Sequence, residues 1–417
     1  MIRKNNHTQI WTPRHIVESM LDSVTRLKPT WKYLDACSGE GVFAKVLIER
    51  GVPQQNITGV EIDPKLIELC KSIYPKANWV CGDILKHTGV YDVVFSNPPY
   101  QEQSEAQKEN ENNTSVAQPI YHKIVEYTID ELKPKYVCMI TPSRWMAGGK
   151  GLDSYRERML NDKRFRSIQD FPGAYDIFTS VKIDMGVSYF VWDRDYNDQC
   201  EFNGIKRDIG EFDILVRNNT SHQIVKKVLS KHNSHFCNER VFSTKPFGLP
   251  SNFSNWSDSV QDSVKCICRN RVEKQVICGA FTDEHGIQSK WKVCTPAAYG
   301  EDTSEGSSVY NIKGSFLLAP GTICTETYIV IGVFITEKEA NAYLFYANTK
   351  FYRFMVGLRK SSQRITKDKF AWVPDFGNYS KVWTDTELYQ YFGLTKKEQE
   401  HIEKSIKPIK QEVEIVQ

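Results

Sequence analysis

The sequence predicts an α/β fold over its first half and a second, α+β domain after it, and three observations carry that prediction. Short apolar strand-like runs ending in an acidic or polar residue alternate with helical patterns from about residue 33 to residue 192. A glycine-spaced turn, Ser38-Gly39-Glu40-Gly41, joins the first of these strands to the first helix. After about residue 195 the alternation gives way to irregular sequence, which sets the expected domains at 1–205 and 206–417.

The first strand is Tyr33-Leu34-Asp35, and Val42, Val46 and Leu47 mark the helix after the turn. Gly39 and Gly41 let backbone approach a ligand closely, but the third glycine of a dinucleotide fingerprint is missing. The second strand, Ile57 to Val60, ends in Glu61, where α/β nucleotide folds place a carboxylate on ribose hydroxyls. The third, Asn78 to Cys81, ends in Gly82-Asp83. An acid at a strand end is commonly a cap or turn residue, but three in succession point to one crevice. The fourth strand, Tyr91 to Ser96, runs into Asn97-Pro98-Pro99-Tyr100.

That last run suits chemistry on an amino group conjugated to a ring, whose lone pair is delocalised. Two acceptors on its hydrogens, the Asn97 side-chain oxygen and the Pro98 carbonyl, favour a pyramidal nitrogen with the lone pair exposed. The prolines restrict the backbone so that both acceptors can address one atom, and Tyr100 offers a stacking face. Such a site works by positioning and electrostatics and requires no titrating histidine.

Together these segments resemble the gamma-class N6-adenine DNA methyltransferases of restriction–modification systems. Asp35-Ala36-Cys37-Ser38-Gly39-Glu40-Gly41 is similar to the family's glycine-rich motif, and Glu61, Asp83 and Asn97-Pro98-Pro99-Tyr100 to the next three. The resemblance implies a Rossmann-like S-adenosylmethionine-dependent methyltransferase domain followed by a target-recognition domain. It places S-adenosylmethionine on the glycine loop, with Glu61 on the ribose, Asp83 on the adenine amino group and Asp35 beside the methionine moiety. Cys37, Ile62, Ile84 and Asn97 complete that expected cofactor set. Trp11 and Thr12 join it through Trp11-Thr12-Pro13, although Thr12-Pro13 before Ile16, Val17, Met20 and Leu21 also reads as ordinary N-cap and N1 chemistry.

Downstream, strand Tyr136 to Ile140 leads to Arg144, then to Gly148-Gly149-Lys150-Gly151 and a basic helix around Arg156 and Arg158; a closing strand covers Val187 to Trp192. The resemblance implies an aromatic that clamps the target base against Tyr100. Phe178 is the match, with Tyr175 second and core packing as its structural alternative. Pro99, Arg144 and Lys150 are the expected substrate contacts in this half. Residues 101–118 hold almost no large apolar side chains, so they read as a mobile insertion or as a loop that DNA orders.

Net charge is only +3, but 25 basic against 27 acidic residues in 1–205 contrast with 29 against 24 in the remainder. The positive surplus lies where a DNA-reading domain should carry it. Residues 350–369 hold seven basic residues and one acid, Asp368, so Arg359, Lys360 and Arg364, with Ser361, Ser362 and Gln363, are expected at DNA; a solvated helix face explains the charges as well. One helix is expected from Lys338 to Leu358 and a buried strand at Ile329 to Ile335. Cys266, Cys268, Cys278 and Cys294 lack zinc-pair spacing, so no metal is expected, and eleven scattered cysteines suggest reduced thiols. No signal-like or membrane-spanning run is present, which suggests a cytoplasmic protein. No nuclease motif is visible, so the expected partners are double-stranded DNA and a separately encoded restriction endonuclease. The alternatives are a subunit of a larger modification complex, or a methyltransferase acting on RNA or a protein glutamine.

Overall fold

A computed structural model describes residues 11–101, 118–149, 151–173, 177–178, 183, 185–242, 244–298, 311–360 and 364–409. Lys150, Tyr175, Ser361, Ser362, Gln363 and nearly all of the 101–118 insertion lie outside the described residues. The chain divides into two compact units, Met1–Leu215 and Val216–Gln417. The expected boundary after residue 205 falls inside a strand, because the first unit's sheet continues further than the sequence pattern suggested.

Among the described residues the first unit has nine strands: β1 Tyr33–Asp35, β2 Ile57–Glu61, β3 Asn78–Cys81, β4 Val93–Ser96, β5 Tyr136–Pro142, β6 Phe165–Phe171, β7 Val187–Asp193, β8 Cys200–Phe202 and β9 Ile205–Arg207. Their order is β3-β2-β1-β4-β5-β7-β6-β8-β9. The first five are parallel, and β7 enters antiparallel between β5 and β6. This is the Rossmann-like order of S-adenosylmethionine-dependent methyltransferases, with β8 and β9 added at one edge.

Alternation along the strands sends side chains into two separate cores. Leu34, Val94, Val137 and Met139 face one side and pack with α4 (Tyr121–Tyr127) and α5 (Asp153–Asn161). Tyr33, Val93, Phe95 and Cys138 face the other, against α1 (Arg14–Ser23), α2 (Val42–Glu49) and α3 (Pro64–Ile73). Helix α3 starts where Asp63 accepts a hydrogen bond from the Lys65 backbone N–H, with Pro64 at its first position. Because β1 to β5 are parallel, the residues following all five emerge at one edge. The order reverses between β1 and β4, which is where open α/β sheets open a ligand crevice.

The second unit is α+β. A four-stranded sheet runs β10 (Trp256–Ser257), β12 (Glu273–Ile277), β11 (Ser263–Ile267), β15 (Thr322–Cys324); a three-stranded one runs β14 (Phe316–Leu318), β13 (Trp291–Pro296), β16 (Tyr328–Phe334). Helices α6 (Asn219–Lys231), α7 (Glu337–Asn348), α8 (Lys350–Arg359), α9 (Asp385–Tyr391) and α10 (Lys396–Ser405) complete it. The single helix expected over 338–358 is two. Thr349 is extended and its hydroxyl accepts from the Tyr352 backbone N–H, so it ends α7 and caps α8. All eleven cysteines are free, eight of them buried.

Candidate active site

The crevice is assembled from the turns after β1, β2, β3 and β4. Asp35 pairs with Phe95 in register, so Asn97 stands two residues beyond the end of the shared ladder. After β1 the chain is pinned on both sides, Ala36 donating to the Phe95 carbonyl at 3.0 Å and Ser38 to the Val60 carbonyl at 2.9 Å. It then turns through Gly39 and Gly41, both in the left-handed region at φ 51° and 75°. A side chain at Gly41 would also meet Cys70 Sγ and the Trp79 ring at 3.2 Å.

Glu61 organises this loop. One carboxylate oxygen accepts from the Gly39 backbone N–H at 2.9 Å, and the other from those of Ile62 and Asp63 at 2.8 and 3.1 Å. Asp83 caps the short turn Ile84–Lys86 by accepting from the Leu85 N–H at 3.0 Å. Ile62 is 72% exposed, whereas Ile84 is buried in the core. The Cys37 thiol, beside Ser96, is raised first by burial and then by Glu61, Asp35 and Asp83, so all three acids bear on one point.

Asp35 is the least satisfied group in the crevice. It is buried, and neither carboxylate oxygen completes a hydrogen bond. Burial, then the neighbouring Glu61 charge, holds its pKa well above the ordinary carboxylate value, with the Cys37 backbone N–H pulling only partly the other way. Ser38 and Ser96 are buried close by, and their hydroxyls also lack partners.

Thr12 does not cap α1, which begins after Pro13 with no side-chain cap. Its hydroxyl instead accepts from Asn97 Nδ2 at 3.0 Å, linking the segment before α1 to the end of β4. Trp11, 41% exposed, lies over the glycine turn, its ring 3.3 Å from where a Gly39 side chain would start. Pro98 is buried and Pro99 exposed. The Tyr100 ring packs on the apolar cluster that contains Ile177 and Phe178, so Tyr100 and Phe178 share one core, with Phe178 buried. The Tyr100 hydroxyl is buried without a hydrogen-bond partner; burial and then Tyr121 raise its pKa. Arg144 follows β5 at the same edge and bears electrostatically on Tyr121.

The substrate residues expected in the second unit fare differently. Arg359 and Lys360 are buried, so they do not form an exposed phosphate-gripping face. Arg359 donates to the Asp368 carbonyl at 3.0 Å and lies over Trp372, and burial pushes Lys360 down to about 8. Arg364 is exposed, 3.9 Å from Glu326. A charged run cannot reveal which of its members turn inward. Gly59 lies inside β2, where a Cβ would sit 2.2 Å from the Trp79 ring; a glycine inside a strand is the sequence signal of such a close approach.

The sheet order, with a crevice at its switch point, is that of a Rossmann-like α/β fold. Over residues 74–178 the chain matches the Eco57I restriction-modification methylase family. It is 30% identical over 114 residues to an uncharacterized adenine-specific methylase of Mycoplasma pneumoniae, covering 27% of this chain and 26% of that protein. It is 28% identical over 110 residues to the type II methyltransferase M.VspI of a Vibrio species, covering 23% and 26%. A release factor glutamine methyltransferase of Koribacter versatilis is 27% identical over 106 residues, covering 23% and 38%. The chain thus spans about a quarter to two fifths of the curated relatives it matches. The residues present fit S-adenosylmethionine: an unsatisfied buried carboxylate, a turn open to close approach, and three acids suited to a cofactor carrying sulfonium and ammonium charge. Among the described residues no helix is long and apolar enough to cross a membrane.

Proposed function

We propose that the chain is a sequence-specific DNA methyltransferase acting on N6 of an adenine flipped out of duplex DNA, as the modification component of a restriction–modification system. The observation that carries this reading is the Asn97 amide, anchored through Nδ2 by Thr12 at the end of β4, beside the glycine turn. An amide held by its nitrogen presents its oxygen on the other side, as an acceptor for an incoming amino hydrogen. The Pro98 carbonyl serves as the second acceptor. The two hold the target nitrogen with its lone pair turned toward the methyl donor, and Tyr100 with Phe178 flanks the ring. When bound, S-adenosylmethionine supplies an electrophilic methyl group on sulfur. Asp35, the Gly39–Gly41 turn, Glu61 and Asp83 hold it, with Trp11 and Ile62 as exposed apolar borders. One amino proton leaves the nitrogen after transfer, and no side chain in the site is required as a strong base. Access demands flipping, because the amino group is paired inside the helix.

The test is modification sequencing of DNA from cells expressing the wild type or Asn97→Ala. The expected result is N6-methyladenine in one short sequence context, reduced at least about 100-fold in the variant, as for loss of a transition-state hydrogen-bonding group, with cofactor binding retained. Equal loss of methylation and cofactor binding assigns Asn97 a structural role. The match to a glutamine methyltransferase favours one second reading, an amide substrate. Labelled methyl groups appearing in protein and in no DNA decide for it.

A further inference from the structure

With Arg359 and Lys360 inside the core, the question of which second-unit residues read DNA is reopened. We propose that the tip of the β11–β12 hairpin, Arg269-Asn270-Arg271, is the base-reading element, inserted into the major groove. The inference rests on the DNA reading above and assigns its sequence specificity to named side chains.

Four features converge on this turn. Arg269 and Asn270 are exposed, and among the described residues neither side chain takes part in a hydrogen bond or ion pair. The hairpin from Lys265 to Lys274 carries Lys265, Arg269, Arg271 and Lys274 against a single acid, Glu273, which pairs with Lys265 at 3.2 Å. The turn is also rigid at its base. Cys268 donates to the Val272 carbonyl at 2.8 Å, the Arg271 backbone N–H donates to the Tyr328 hydroxyl at 2.9 Å, and the Arg271 guanidinium lies 4.9 Å over the Phe316 ring. Finally, Asn270 and Arg271 are consecutive non-glycine residues at φ 60°. Left-handed backbone costs an arginine stability that glycine in the same turn would not lose, so holding it there points to use of the side chains.

The chemistry fits base edges better than phosphates alone. The hairpin strands are the two central strands of the four-stranded sheet, so the turn from Cys268 to Val272 is the part that projects beyond the paired residues and enters the major groove, where arginine donates in pairs to guanine and asparagine pairs with both edge atoms of adenine. Arg271, clamped to Phe316 and Tyr328, sets the turn, and Arg269 and Asn270 reach forward from it. Lys274, which lies over Trp256, supplies nonspecific backbone attraction that brings the tip to the groove, while Lys265 is neutralised by Glu273.

The experiment uses the full chain and two variants, Arg269→Ala and Asn270→Gly. Glycine removes the Asn270 side chain while easing the left-handed backbone, so this variant keeps its fold, checked by an unchanged or higher melting temperature. Each is assayed for methylation of a library in which every position of the wild-type site is varied. The expected result is about a tenfold or greater loss of discrimination at one or two base positions, different for the two variants. A uniform fall at all sites with a shallower salt dependence overturns the proposal in favour of phosphate contact. An unchanged site preference in both variants overturns it outright. Wild-type protein that methylates no DNA sinks the DNA reading itself, an outcome separate from both.

Discussion

Asp35 in the first unit and Lys292 in the second are both buried charged residues, and the protein treats them in opposite ways. Lys292, on β13, donates to the carbonyls of Lys290, Gln288, Ile287 and Ala319 at 2.6, 2.9, 3.3 and 3.3 Å. Asp35 completes no hydrogen bond although it sits among backbone amides and hydroxyls. A buried ion without partners costs several kcal/mol unless it shifts its protonation, and Asp35 does shift, its pKa held well above the ordinary carboxylate value by burial and then by Glu61. The lysine closes a loop of the second unit, whereas neither Asp35 oxygen completes a hydrogen bond.

The largest effect expected concerns the lysine. Burial lowers its pKa from 10.5 to about 8, so between those values the unfolded chain binds more protons than the folded one and the Lys292 contribution to stability rises with pH. The difference in unfolding free energy between wild type and Lys292→Met should therefore grow by about 3 kcal/mol between pH 8 and 10.5. Denaturant titrations of both proteins across that range measure it. A flat difference means that the four carbonyls cancel the burial cost, and the contrast with Asp35 then becomes larger still.

For Asp35 the sign is reversed. Its folded pKa lies above the unfolded value, so the folded state keeps a proton that the unfolded chain loses, and its contribution to stability falls as pH rises from about 4 through the folded pKa. Asp35→Asn removes that loss and should raise the melting temperature at neutral pH. The same substitution should weaken S-adenosylmethionine binding about 10- to 100-fold, as for losing a hydrogen bond to a charged group. Calorimetric titration and thermal melts on one sample decide it; a variant that loses both stability and affinity makes Asp35 structural. Wild-type affinity should also rise with pH through the Asp35 pKa, since a cationic ligand prefers the carboxylate.

How much of this was legible follows from which forces are local. Asp35, Glu61, Asp83 and Asn97 could be read as one site because strand ends in an α/β sheet share an edge, and each acid follows an apolar run of strand length. What failed depends on facing: Arg359 and Lys360 sit in a basic run whose register against the core only packing fixes. Thr349 divides a continuous apolar pattern through a single hydroxyl cap, which propensity alone cannot resolve. β8 and β9 are three residues each, too short for any periodicity to register. The left-handed Asn270 and Arg271 leave no composition signal, because neither is the glycine that such backbone favours.

The smallest effect expected tests a third polar group, Asn97, whose amide nitrogen donates to the Thr12 hydroxyl. Thr12→Val preserves side-chain shape and removes the acceptor for Asn97 Nδ2. The loss is one neutral hydrogen bond, about 1 kcal/mol, so the transfer rate should fall about fivefold to tenfold while the fold is retained. If Thr12 acts by positioning, the loss should lie in kcat rather than KM for DNA, and Thr12→Ser should restore it. A loss carried by the KM for S-adenosylmethionine would place Thr12 on the cofactor instead, and Asn97 would then owe its orientation to the Pro98-Pro99 backbone. An unchanged rate would mean that substrate alone aligns the amide.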